Sequence, residues 1–239
     1  IYTGYINNFQ ELFHRYGATY YGVRFGLILP AQLASAAFGP VGGYFAFRYV
    51  LVLAGGLSYW MFVKQRYGRA PAYALPCVLL TSPFLARTVL WDHPDAAAVP
   101  FLLIAFALFL YEPDRLWRDL VVGLCGGMAI HSNAFVIAPL ALYLAAYAIV
   151  WIVSRGRFMT LVRRLSVVSL GVLIVTAAGA AFYARVVDQR DIFTTTINIT
   201  TFLVQGGTKN WRTPGIPWMA DLWWVLTPIF LIVVSVIVQ

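Results

Sequence analysis

Apolar residues run along this chain in long blocks, broken at intervals by short clusters of charge, glycine and proline, with no two-residue alternation of the kind strands show. A helix crossing the hydrocarbon core of a bilayer needs roughly 17 to 25 apolar residues. The pattern predicts spans over 43–63, 71–90, 96–111, 120–131, 134–153 and 165–185, and the start of another at 224–239. The block at 27–38 is interrupted by Pro30 and Gln32 and closed by Gly39-Pro40, so it reads as an interfacial juxtamembrane helix rather than a full crossing. The expected fold class is all-α, a polytopic transmembrane helical bundle with extracytoplasmic juxtamembrane segments.

Three basic clusters set the expected orientation: Lys64, Arg66 and Arg69; Arg115 and Arg118; Arg155, Arg157, Arg163 and Arg164. Short cytoplasmic loops carry the excess of Lys and Arg, so all three clusters are assigned to the cytoplasm. The spans between them must then leave and return as hairpins. Residues 1–42 become an outer loop with its interfacial helix, 43–185 the core spans and 186–223 a second outer loop, all within one transmembrane domain, 1–239. Trp223 and Trp224 fit an aromatic belt before the last apolar block. The start at Ile1 and the end inside an apolar run read as a fragment of a longer protein.

Two hairpins look short. A span over 96–111 covers roughly 24 Å at 1.5 Å per residue, against a hydrocarbon core of about 30 Å. The turns at 91–95 and 131–133 are therefore expected to lie in a recess below the outer surface, where polar groups must be buried in protein or line a wet cavity. In this topology Glu11, Asp92, Asp95, Asp188, Asp191 and Asp221 lie outside with His14, His93 and His131. Glu112, Asp114 and Asp119 lie inside, and no histidine does.

Composition agrees with lipid as the solvent: 61% of residues are hydrophobic and 11% charged, with a mean hydropathy of +0.77. The net charge of +8 would suggest nucleic acid in a soluble protein. Here the cations sit mainly between spans, so the expected partner is the bilayer and nucleic acid is excluded. Cys77 and Cys125 lie in apolar runs without metal-ligand spacing. There is no glycine-rich phosphate loop, no HExxH and no G-x-S-x-G.

The most chemical local feature is Trp91-Asp92-His93-Pro94-Asp95. Asp92 and Asp95 can serve as helix-capping and dipole-compensating carboxylates, and Pro94 suits a first turn. In a recessed turn they can also position an acceptor hydroxyl, a divalent cation or a basic donor group. At His131-Ser132-Asn133, Ser132 or Asn133 can cap the following helix, and His131 with Asn133 can complete a phosphate site; a satisfied structural histidine is the plainer reading. Arg87, about one turn before Asp92 on the same predicted helix, can pair with Asp92 or His93 or point at a phosphate. Arg24, beside Tyr20 and Tyr21, and Arg48, inside its span, are further candidates for an anionic head group. Asn198-Ile199-Thr200 matches a glycosylation sequon.

From Arg24 to about Val153 the chain resembles the GT-C superfamily of polytopic glycosyltransferases, which includes protein O-mannosyltransferases and the lipid A aminoarabinose transferase. The resembling stretches are 39–68, Leu80-Thr81-Ser82-Pro83-Phe84 followed by 91–95, and 123–139. The resemblance implies a GT-C-like bundle that moves a sugar from a polyprenyl-phosphate donor to a lipid, glycan or protein acceptor, with an active site facing the extracytoplasmic side of a bacterial inner membrane. It implies an inverting reaction in which a carboxylate activates the acceptor hydroxyl and phosphate leaves the anomeric carbon. Asp95 matches the family's second-loop acid and Asp92 is its neighbour. The family's main first-loop acid is expected before Ile1, and Glu11 is not equated with it. His131 stands where many relatives have a lysine that meets donor phosphate, which makes that contact pH-sensitive. His93, Arg87, Arg24 and Asn133 complete the candidate substrate contacts. Two other classes stay open: a transporter or flippase of a lipid-linked or anionic substrate, and a non-catalytic assembly subunit.

Overall fold

The computed structural model describes residues 2–19, 21–80, 95–111, 115–153 and 157–204. All regular structure among them is helical: α1 Tyr2–Asn7, α2 Phe9–Tyr16, α3 Phe25–Tyr67, α4 Arg69–Leu80, α5 Asp95–Leu110, α6 Leu116–Ser132, a 3-10 turn Ala134–Val136, α7 Ile137–Val153, α8 Phe158–Val186 and α9 Ile192–Val204. The chain divides into two compact units, Ile1–Thr196 and Ile197–Gln239. Of the second, the described part is the latter half of α9.

α3 is two helices joined at a sharp bend. Gly39 adopts φ 74°, ψ 168°, a backbone that side-chain-bearing residues rarely take, and Pro40 follows as the first residue of the second arm. Gly43 then lies against the backbone of Ala34 and Ser35 in the first arm, leaving no room for a side chain. Gly39-Pro40 thus ends one helix and starts the next, as its composition predicts. The second arm continues to Tyr67 and covers roughly 42 Å at 1.5 Å per residue.

The centre of the bundle is α6 against α8, its most extensive helix contact. The two run parallel: Asp119 meets Arg164 near their starts and His131 meets Thr176 near the end of α6, each pair 45 residues apart. Glycines allow the close approach between these points. A Cβ on Gly171 would stand 2.6 Å from the Leu120 carbonyl oxygen and 2.7 Å from the Leu124 nitrogen; one on Gly127 would stand 2.9 Å from Val175 Cβ. Small residues at such a crossing let backbones pack by dispersion alone, which serves where lipid tails remove the hydrophobic drive between helices.

α5 returns antiparallel to α6. Ala105 and Phe109 pack with Val122 and Val168 at one end, and Ala98 with Ala129 and Val136 at the other. α3 lies on α5, with Phe47 and Leu51 beside Ala97 and Gly55 facing Pro100. α7 is tied to α5 through Tyr143, whose hydroxyl donates to the Phe106 carbonyl at 3.2 Å while its ring lies 4.2 Å from that of Phe106. Its outer side exposes Leu142, Ile149, Val150, Ile152 and Val153.

Phe25–Tyr67 and Phe158–Val186 are long and apolar enough to cross a membrane. Their most apolar stretches are mostly unburied, so large side chains such as Leu53, Leu57, Leu170 and Leu173 point away from the protein. Helices fall where the blocks over 43–63, 96–111, 120–131, 134–153 and 165–185 predict them. The segment 71–90 is described as far as Leu80, within α4.

The basic clusters differ from the expectation. Their described members lie at helix ends: Lys64 and Arg66 occupy the last turn of α3, Arg118 the first turn of α6, and Arg163 and Arg164 the second turn of α8. Helices extend past the edge of an apolar block because backbone hydrogen bonding does not stop at the first charge. The stretch read as an outer loop from 186 also contains α9, where Asn198 is exposed.

Candidate functional site

His131 lies in the last turn of α6. Its Nε2 is 3.0 Å from Thr176 Oγ1 on α8, and its ring stands edge-on to Phe25, with centroids 6.4 Å apart and planes at 89°, and 5.5 Å from the ring of Phe193. The imidazole is therefore wedged among α3, α6, α8 and α9. Asn133 follows as the buried C-cap of α6, its N–H donating to the Ala129 carbonyl at 2.9 Å and its carbonyl accepting from Val136 at 3.1 Å. Ser132 does not cap the next helix. Its hydroxyl donates back to the Met128 carbonyl at 2.8 Å, because the close passage of Gly26 leaves it no other direction.

Arg24 is buried at the N-cap of α3, where its carbonyl accepts from the N–H groups of Leu27 at 3.0 Å and Ile28 at 2.9 Å. The turn before it is held down by Tyr183 of α8, which donates to the Gly22 carbonyl at 2.8 Å. Phe9, Phe13, Phe25, Phe182 and Tyr183 form a continuous aromatic cluster that docks α2 and the start of α3 on the end of α8. Apolar burial of five rings outweighs any single polar contact here, at about 25 cal/mol per Å² of surface removed from water.

Asp95 is the first residue of α5. Two residues on, Ala97 packs in one cluster with Ile6, Leu27, Phe47 and Leu51. Leu27 follows Arg24 by less than one turn, and Phe47 precedes Arg48, which is buried with its guanidinium 4.0 Å from the centre of the Tyr44 ring. The fold thus brings the helix turns bearing Arg24, Arg48, Asp95, His131 and Asn133 to one end of the bundle. Asp92, His93 and Arg87 lie outside the described residues. Glu11 and His14 are exposed on α2. No group of three or more His, Cys, Asp or Glu that could hold a metal ion occurs among the described residues.

The opposite end holds a densely bonded polar group whose arginine the charge pattern assigned to a short cytoplasmic loop. Asp119 and Arg164 are buried, with Arg164 Nη2 3.0 Å and Nε 3.2 Å from Asp119 Oδ1. Arg164 also donates to Tyr147 Oη at 2.5 Å and to the Phe109 carbonyl at 2.8 Å, and lies 4.4 Å from the Phe109 ring centre. One guanidinium therefore ties α5, α6, α7 and α8. A single acid at the edge of an apolar block needs a partner, which is the signal Asp119 offered. Its spacing from Arg164 offered none.

Against protein-family models, curated proteins and solved structures, the chain has no match.

Proposed function

We infer that this chain belongs to a multi-pass membrane glycosyltransferase resembling the GT-C superfamily, one that moves a sugar from a polyprenyl-phosphate donor to an acceptor on the extracytoplasmic face. One observation carries the reading: the turns bearing Arg24, Arg48, Asp95, His131 and Asn133 share one end, away from the Arg118 and Arg164 end. By the positive-inside rule the arginine-rich end is cytoplasmic, which puts the His131 end outside. Exposed apolar faces on α3, α7 and α8 suit a bundle in contact with lipid on several sides. A lipid-linked sugar phosphate needs cations for its diphosphate or phosphate oxygens and a carboxylate for the attacking hydroxyl. Arg24 and Arg48 are assigned to the first task, with His131 as a hydrogen-bonding group beside them, and Asp95, with Asp92, to the second. The hydroxyl attacks the anomeric carbon, the phosphate leaves with the bonding pair, and the configuration inverts.

A different reading is favoured by His131 itself. Its bond to Thr176 and its packing on Phe25 and Phe193 are what a purely structural histidine would show, as in an assembly subunit. The decisive experiment uses Asp95→Asn, Arg24→Gln and His131→Ala in the full-length protein, assayed for sugar transfer from polyprenyl-phosphate donors. Loss of transfer by tenfold or more at normal expression is expected for Asp95→Asn, since positioned acid–base groups contribute about 10² to 10⁴ in rate. Full activity in all three variants would leave the assembly reading standing. Thiol labelling of cysteines placed at the exposed positions 14 and 66 should find the first reachable from outside and the second from inside, and the reverse pattern would overturn the orientation.

A further inference from the structure

We propose that Thr176 of α8 is a positioning residue for the site at the His131 end: its hydroxyl fixes the tautomer of His131 and so makes Nδ1–H a donor for a phosphate oxygen. The assignment rests on the transferase reading and names the group that orients the histidine.

Thr176 and His131 meet across the crossing of α6 and α8, with Nε2 3.0 Å from Thr176 Oγ1. Hydroxyls inside a helix commonly turn back to the carbonyl four residues earlier. Ser132 does so toward Met128 at 2.8 Å, and Thr196 toward Ile192 at 2.7 Å. Thr176 does not. Among the described residues its hydroxyl is hydrogen-bonded to His131 alone.

A neutral imidazole has one N–H and one bare nitrogen, and the bond made by one nitrogen settles which of them carries the proton. Two arrangements fit the contact. If Nε2–H donated to Thr176 Oγ1, the threonine proton would be left without an acceptor in an apolar crossing, which is costly. If the hydroxyl donates to Nε2, its proton is satisfied and the ring proton sits on Nδ1. The second arrangement leaves no donor unmet between the two helices. Nδ1 makes no hydrogen bond among the described residues and is not sealed from solvent. The ring is also held in plane, edge-on to buried Phe25 at 89° and 5.5 Å from the Phe193 ring. A ring clamped by two aromatics and pinned by one hydroxyl presents its N–H in one direction, as a preorganised donor to an anionic oxygen must. No carboxylate pairs with His131 among the described residues. Charge for the phosphate thus comes from Arg24 and Arg48, and His131 adds the directed hydrogen bond.

The test uses the full-length protein in nanodiscs, with histidine labelled at its ring nitrogens and a polyprenyl monophosphate as the probe. The His131 signals are those missing from His131→Ala. In the parent the proton should reside on Nδ1, and that signal should shift when the probe is added. Thr176→Val keeps the shape and removes the hydroxyl. It should lose the tautomer preference and bind the probe roughly tenfold more weakly, a change of about 1.4 kcal/mol. Thr176→Ser should restore the tautomer and bind within about threefold of the parent. Thr176→Val added to His131→Ala should cost nothing further, because the threonine acts through the ring. A parent with the proton on Nε2 or on both nitrogens would overturn the assignment, as would additive losses or a serine that fails to rescue. A parent that shows the tautomer and binds the probe but transfers no sugar would refute the transferase reading and leave Thr176 in its role. Protection of Cys125 from a thiol-reactive dye reports that each variant is folded, and Thr176→Ala replaces Thr176→Val if the latter is not.

Discussion

Replacing Arg164 by methionine removes the guanidinium that joins four helices and leaves Asp119 buried beside an apolar side chain. Attraction between unit charges about 3 Å apart at an effective dielectric of about 20 is roughly 5 kcal/mol, and desolvating each ion costs several kcal/mol, so the intact pair contributes little net stability. Breaking it is a different matter. Removing one partner of a buried pair typically costs about 3–5 kcal/mol, because the other charge stays behind. Arg164→Met should fall in that range. Asp119→Leu should cost at least as much, since it leaves the always-charged Arg164 guanidinium buried without a counter-ion, bonded only to Tyr147 and the Phe109 carbonyl. The double variant Asp119→Leu/Arg164→Met should return to within about 1–2 kcal/mol of the parent. Cys125 provides the reporter. It is half-buried on α6 against the Phe109 and Val122 cluster, whereas Cys77 is exposed and can be replaced by serine beforehand. Protection of Cys125 from a thiol-reactive dye, followed against the mole fraction of SDS in mixed micelles, reads unfolding of this packing. An Arg164→Met variant within about 1 kcal/mol of the parent, or a double variant whose loss is the sum of the two singles, would refute the reasoning.

Two further outcomes test the packing. Gly171→Leu should destabilise α6 against α8 by at least the roughly 1–3 kcal/mol typical of overpacking, because the new side chain meets the Leu120 and Leu124 backbone; Gly17→Leu, where no atom stands within 4 Å of the added Cβ, meets no such wall and isolates backbone strain alone. The same Cys125 assay separates them. Tyr183→Phe removes the hydroxyl that bonds the Gly22 carbonyl and should cost about 1 kcal/mol. Limited proteolysis should then cut the stretch between α2 and α3 faster while α6 and α8 stay resistant, and equal cleavage of parent and variant would show that the aromatic cluster alone holds that turn.

The helices were legible because apolar block length and helix length answer to one constraint, the need to satisfy every backbone polar group inside an apolar surrounding. Gly39-Pro40 was legible for a local reason: a residue free of Cβ at positive φ and a proline suited to a first turn break a helix wherever they stand. The charged ends were not. Arg164 and Asp119 look like loop residues in one dimension, and only the parallel register of α6 and α8 brings them together. Ser132 was read as a cap, but the passage of Gly26 turns its hydroxyl back into its own helix. Likewise His131 was recognised as polar at a hairpin tip, while its partners Thr176, Phe25 and Phe193 come from three other helices.

The sequence by itself determined that this chain is helical, apolar enough to live beside lipid, and basic at recurring intervals, because these depend on neighbours along the chain. Which helices touch, which end gathers Arg24, Asp95 and His131, and which arginines are committed to a partner were decided by tertiary structure alone. The reason is physical: glycine-lined crossings such as Gly123 and Gly127 against Gly171 and Val175 set the separation of two backbones to within an ångström. A salt bridge or a hydrogen bond between helices exists only at that resolution.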